Sequence, residues 1–337
     1  MTRTCIHIGP SKTGTTTLQR EIFARHSQIA YLGKPFCSAQ SRGGGRTTDR
    51  SRLEESLILA LRSKDSLQYD ESSVIEEIKR HIEEYPPGSR VPVLSEEGLA
   101  ASGMADRGLI AERLSNAFGV CDILITIRSQ LTCLPSLFLH YYRRGDFVGL
   151  TFDGWLNQDP QSRQRARVYE TWAQYDYYSL YQLYRRVFPK GRVKVALFEQ
   201  MTRNSDAFAK EISEFLGVDC AETRSLFQNA QHLNPGMSVQ EADFHRRFQR
   251  VRHLYGQVKE RCFPGLEVQK YVPFASKARA YGKRTVQRIL INEGKAARNP
   301  TQISEASTRM IWERFAQSNR RLAEECNLPI VELGYPV

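Results

Sequence analysis

The chain lacks several things that would have settled its class at once. It has no C-x-x-C pair. Its seven cysteines, Cys5, Cys37, Cys121, Cys133, Cys220, Cys262 and Cys326, are odd in number and widely spaced. That excludes a zinc ribbon and a disulfide scaffold, leaves no metal to be expected, and suits a reducing compartment. No run approaches the ~20 apolar residues of a membrane span. The first apolar run, Cys5 to Gly9, is too short for a signal-peptide core and is not preceded by a basic region of normal length. The expectation is a soluble, cytoplasmic protein. There is no internal repeat and no nucleic-acid recognition motif, so no nucleic-acid partner is expected.

What is present is an ordinary globular composition: 337 residues, 41% hydrophobic and 25% charged. The charge is not balanced. The net value is +11, which favours anionic partners of any kind. Short apolar runs end in turns and alternate with helical patterns. Strands are predicted at Thr4–Gly9, Val91–Ser95, Asp122–Ile127 and Arg192–Phe198. Helices are predicted at Leu18–His26, 51–63, 71–84, Arg107–Phe118, after Arg128, Trp172–Phe188, Ala207–Leu216, 240–262 and Ile303–Glu325. Such alternation predicts an α/β fold: a P-loop-type central parallel sheet, helices on both faces and a helical C-terminal region. Residues 1–337 read as one domain. It carries a Gly-rich flexible loop at 34–52 and a basic insertion at 255–300. Cys5 and Cys121 sit in strand-like runs and read as small core residues.

The first strand runs into Gly9-Pro10-Ser11-Lys12-Thr13-Gly14-Thr15-Thr16-Thr17. Gly9 and Gly14 have the G-x-x-x-x-G spacing of a phosphate loop, whose backbone N–H groups form an anion nest. A Walker A loop would continue with Lys and then Ser or Thr. Here Thr15 and Thr16 follow, and the lysine is Lys12, inside the turn. A lysine there suits a donor with less charge at the scissile end than a nucleoside triphosphate. With loop amides and hydroxyls it stabilises a leaving phosphate without magnesium.

Gly9 to Thr16 resembles the 5′-phosphosulfate loop of the sulfotransferases that use 3′-phosphoadenosine-5′-phosphosulfate (PAPS), commonly P-K-S-G-T-T or K-T-G-T-T. The resemblance implies that Lys12 contacts the phosphosulfate and helps the leaving group. It also implies that Ser11, Thr13, Gly14, Thr15, Thr16 and Thr17 complete the donor loop. In that family a strand ends in arginine, a serine follows eight residues later, and the two hold the 3′-phosphate. Arg128 and Ser136 match that spacing. Further likenesses are Tyr177-Tyr178 to Glu199, Phe208 to Gly217, and Leu322 to Pro336 with its Gly334-Tyr335-Pro336. The R-K-G-x-x-G-D-W motif of the animal cytosolic enzymes is absent, which disfavours that subgroup.

Transfer to a hydroxyl or amine needs the acceptor's proton removed, and a carboxylate at a strand end suits this. Val91 to Ser95 leads into Glu96 and Glu97. The family's register selects Glu97 as base, with Glu96 second. The same residues also fit a helix start, with Ser95 as N-cap. His7, beside the loop, reads as packed, and His140 as a weaker alternative base.

The resemblance implies a transferase with PAPS as donor, PAP as product, and a carbohydrate or glycolipid acceptor, with lipid linkage one option. Residues 259–298 carry ten Lys or Arg against three Glu. They read either as a solvated basic face or as contact with an acidic glycan or anionic membrane. Two other readings of the chain stand: a P-loop nucleotide kinase or NTPase, and a non-catalytic nucleotide or polyanion binder.

Overall fold

The computed structural model describes residues 3–33, 60–63, 67, 69–83, 90–100, 106–144, 150–157, 173–230 and 303–337. The expected loop at 34–52, the helix at 240–262 and the basic insertion at 255–300 lie outside them.

Five parallel strands form one sheet: β1 (Thr4–Ile8), β2 (Ile29–Tyr31), β3 (Val91–Ser95), β4 (Cys121–Ile127) and β5 (Val193–Leu197). The spatial order is β2-β3-β1-β4-β5, with every pair parallel. The chain leaves β1 toward one edge and later returns past it to β4. That reversal opens a crevice at the carboxyl ends of the strands beside β1. Every residue of β3 and β4 is buried, as expected of strands covered on both faces.

The helices are α1 (Thr15–Thr17), α2 (Glu71–Glu83), α3 (Arg107–Phe118), α4 (Gln130–Arg144), α5 (Phe152–Leu156), α6 (Tyr177–Val187), α7 (Phe198–Arg203), α8 (Ser205–Leu216), α9 (Cys220–Gln228) and α10 (Glu305–Cys326). α1 runs directly into a π-helical stretch, Leu18–Phe23. One sheet face supplies Cys5, Val91, Val93, Leu124 and Ala196. It packs on Leu18, Ile22 and Phe23 of that stretch and on Phe208, Ile212 and Phe215 of α8. Toward the other face, α6 lies against β4 and β5, and α3 lies against α6. Cys5 and Cys121 are both core residues, and burial pushes the Cys121 thiol up to about 12.

The chain divides into two compact units: Met1–Cys133 with Ala166–Asn234 and Arg309–Val337, and Leu134–Arg165 with Pro235–Thr308. The first holds the sheet. In the second, Phe138 packs edge-on against Phe152 and tilted on Trp155, with centroids 5.9 and 5.7 Å away. Ser304 N–H donates to Asp153 at 3.2 Å there.

Several elements differ from the sequence expectation, and β2, α5 and α7 stand where no element was expected. The helix expected at Leu18–His26 begins at Thr15 and widens to π geometry, with Ala24 N–H bonding the Gln19 carbonyl at 3.0 Å. Helix α9 was not foreseen. Its start is set by Asp219, whose side chain accepts from Glu222 N–H.

Candidate functional site

The first strand ends at Ile8, and the chain turns at once over the sheet edge. Gly9 is there because a Cβ would fall 2.3 Å from Thr15 and 2.5 Å from Thr126. Gly14 is left-handed (φ 89°), and a Cβ on it would strike Met201 and Phe198. Between them Lys12 also holds positive φ (74°), shared among described non-glycine residues only by Asn327. A lysine in that conformation stores strain of order 1 kcal/mol. At the start of α1 the Thr17 N–H already bonds the Gly14 carbonyl at 3.0 Å, so it is the N–H groups of Thr15 and Thr16, which precede the first helical bond, that can face an anion.

A buried hydrogen-bond chain lies beneath the loop. Register places His7 beside Ser95, and Thr126 is on the same sheet face. Thr13 gives its only hydroxyl proton to the Pro10 carbonyl (2.7 Å), so Thr126 must donate to Thr13 (3.0 Å). Thr126 then accepts from His7 Nε2–H (3.1 Å), which leaves Nδ1 to accept from Ser95 (2.6 Å). Ser95 in turn accepts from the Gln19 amide (3.1 Å). The π-helical widening accompanies Gln19's inward reach. Burial lowers the His7 pKa to about 3, so the ring stays neutral. His7 is packed, 1% exposed, as its place on the first strand implied. Ser95 is a member of this chain and not the N-cap foreseen for it. The cap of the short 3₁₀ turn Glu97–Leu99 is Glu96, which accepts from Gly98 N–H at 2.9 Å.

Glu97 stands apart from Glu96. Its carboxylate accepts from the Thr15 hydroxyl on one oxygen and from Ser11 (3.4 Å) on the other. It is partly exposed, whereas Glu96 is 3% exposed. Gly98 next to it admits the Arg62 guanidinium, 2.4 Å from where a Cβ would stand.

Arg128, at the end of β4, is drawn to the loop. Its Nη1 donates to the Lys12 carbonyl (3.2 Å) and its Nε to Thr132 (3.0 Å). The guanidinium lies over the Phe198 ring at 4.4 Å. Tyr175 donates to the Ser11 carbonyl (2.6 Å), pinning the loop from its other side. The Cys133 thiol also faces that carbonyl, and burial pushes it up to about 12, so it is no nucleophile.

The ends of β3, β1 and β4 therefore bring Glu97, the loop with Lys12, and Arg128 to one edge of one unit. Ser136 lies on α4 in the second unit, half-buried. So does His140, set edge-on to Tyr141. Sequence reading missed Tyr175, Phe198, Arg62 and the His7 chain. No local signal carries them, because each acts across more than 30 residues.

No family model matches the chain, and no curated protein matches it. Solved structures do. A sulfotransferase from Alicyclobacillus acidocaldarius is 18% identical over 74% of this chain and 93% of its own, with a TM-score of 0.44. The sulfotransferase domain of a Synechococcus olefin synthase is 13% identical over 76% and 94%, TM-score 0.40. A mouse sulfotransferase complexed with PAP is 11% identical over 83% and 90%, TM-score 0.33. Likeness of this size leaves the chemistry to be read from the chain's own residues. Among the described residues no cluster of His, Cys, Asp and Glu suits a metal, and no helix is long and apolar enough to cross a membrane.

Proposed function

We propose that the protein is a sulfotransferase that moves a sulfuryl group from PAPS to a hydroxyl or amine acceptor of carbohydrate or glycolipid type. The observation that carries this reading is the contact of Arg128 with the Lys12 carbonyl, with Glu97 hydrogen-bonded to the same loop. It supports two anion sites side by side, one a loop with an internal lysine and one a strand-end arginine, next to a carboxylate. A donor phosphorylated at both 5′ and 3′ fits such a pair, and ATP leaves the second empty.

The 5′-phosphosulfate lies on the loop amides and the hydroxyls of Ser11, Thr15, Thr16 and Thr17, while Thr13, whose hydroxyl is committed to the Pro10 carbonyl, supports the loop from beneath. Arg128 takes the 3′-phosphate through its planar fork, and a role for Ser136 there rests on the family resemblance alone. As the acceptor oxygen bonds to sulfur, the bridging S–O bond breaks in line and the electron pair goes to the departing phosphate. The Lys12 ammonium offsets that charge, and Glu97 takes the acceptor's proton. Donor binding draws the Thr15 and Ser11 hydroxyls toward phosphate and frees Glu97 for the acceptor.

The test is calorimetry of PAP against ADP without magnesium, on wild type and Arg128→Ala. Tighter binding of PAP, reduced to the ADP level by the substitution, is expected. Preference for ADP, or a need for magnesium, would return the chain to the kinase reading. Glu97→Gln should keep PAP affinity within about threefold and lower turnover by roughly 10²–10⁴. Donor binding with no turnover for any acceptor would support the binder reading.

A further inference from the structure

The Arg128–Ser129 peptide is gripped on both sides. Its carbonyl accepts from the Tyr177 hydroxyl at 2.6 Å, and its N–H donates to Glu199 Oε1 at 3.0 Å. Glu199, at the start of α7, is 8% exposed, and its other oxygen accepts from the Tyr335 hydroxyl at 2.7 Å. Tyr335 is 1% exposed, and its phenol stays protonated because burial and then the Glu199 charge push its pKa well up. The same segment returns a second contact: the Ser129 hydroxyl donates to the Gly334 carbonyl at 2.8 Å. Asn319 fixes the next residue, donating to the Pro336 carbonyl at 2.7 Å. Residues 334–336, more than 200 positions away in the chain, thus bear on the two residues that begin where β4 stops.

The tilt of a peptide plane sets the direction in which the preceding side chain leaves the backbone. Tyr177 and Glu199 fix that plane, so they fix where the Arg128 guanidinium stands over Phe198. Tyr335 holds the Glu199 carboxylate in the orientation that accepts from Ser129. A buried carboxylate with that donor removed rotates to find another.

We propose that Tyr335, acting through Glu199, is a positioning residue for Arg128 and sets how tightly the 3′-phosphate of the donor is held. The ligand part rests on the sulfotransferase reading above.

The experiment measures binding of PAP and of AMP, which lacks the 3′-phosphate, to wild type, Tyr335→Phe, Arg128→Ala and the double variant. The Arg128 Nε–H resonance of the ligand-free protein is followed alongside. Tyr335→Phe should weaken PAP roughly five- to tenfold, the size of one ordinary hydrogen bond, and leave AMP unchanged. It should add nothing in the Arg128→Ala background, and the Nε–H resonance should shift or broaden. Equal losses for PAP and AMP, or losses that add to those of Arg128→Ala, would mean general loosening and overturn the proposal. If the wild type shows no preference for PAP, the sulfotransferase reading fails, while an unmoved Nε–H resonance would separately sink the positioning role. Should Tyr335→Phe not fold, Glu199→Gln keeps a carbonyl acceptor for Ser129 and should give a smaller loss of the same kind.

Discussion

Lys12 joins strain to charge at one position. Its φ of 74° is a conformation suited to glycine, and the side chain is the cation the proposed chemistry needs. The two can be separated. Lys12→Ala keeps the strain and loses the amine, and Lys12→Gly loses both. Both should abolish turnover, with Lys12→Gly more stable than Lys12→Ala by about 1 kcal/mol in urea denaturation. Equal stability would mean that the turn relaxes. At this scale the sequence was informative about which residues to watch. Gly9, Lys12, Gly14 and Glu97 sit in one stretch or at a strand end, where spacing carries meaning. Residue pattern alone did not separate Glu96 from Glu97, and only the family's register ranked Glu97 first. Which carboxylate turns inward depends on Gly98 N–H, and that is a matter of backbone geometry.

Among elements, strand ends do the organising. β1, β3 and β4 are tied by the chain that runs through His7, and each carries one part of the site. Because the folded His7 has a pKa near 3 against an ordinary value of 6.5, the unfolded chain binds a proton that the folded one refuses. Stability from this source is full above about pH 6.5 and is lost as pH falls toward 3. Melting temperature should therefore drop through that window, and His7→Gln should flatten part of the slope. A slope unchanged by that substitution would place the acid sensitivity elsewhere. Strands β3 and β4 were legible as continuous apolar runs and α3 was read to the residue, whereas the three residues of β2 were too few to show a pattern. The π-helical turn and α9 were not legible either, since a widened turn and a short helix begun by Asp219 leave little periodicity.

For the whole molecule, the relevant quantity is how binding of an anion feeds into folding. A donor product that binds only the folded state adds RT ln(1 + [L]/Kd), about 2.7 kcal/mol at a hundredfold excess over Kd. PAP without magnesium should raise the melting temperature by several degrees, and ADP at the same concentration by less. Arg128→Ala should erase the difference between them. A shift equal for both nucleotides would show that the 3′-phosphate is not read. The α/β class followed from alternation alone. The contacts that assemble the site did not, because Ser11 meets Tyr175, Arg128 meets Lys12, and Glu199 meets Tyr335 over separations that pattern cannot report.

The chain beneath the loop also has a direction. From the Gln19 amide to the Pro10 carbonyl, each hydrogen is given the same way, and each group receives from one neighbour before giving to the next. Replacing one member sets two donors or two acceptors face to face, unless its neighbours change as well. Gln19, Ser95, His7, Thr126 and Thr13 should then behave in evolution as a single character, exchanged as a set or kept as a set. Single-site drift should be confined to swaps that keep the polarity, such as serine for threonine.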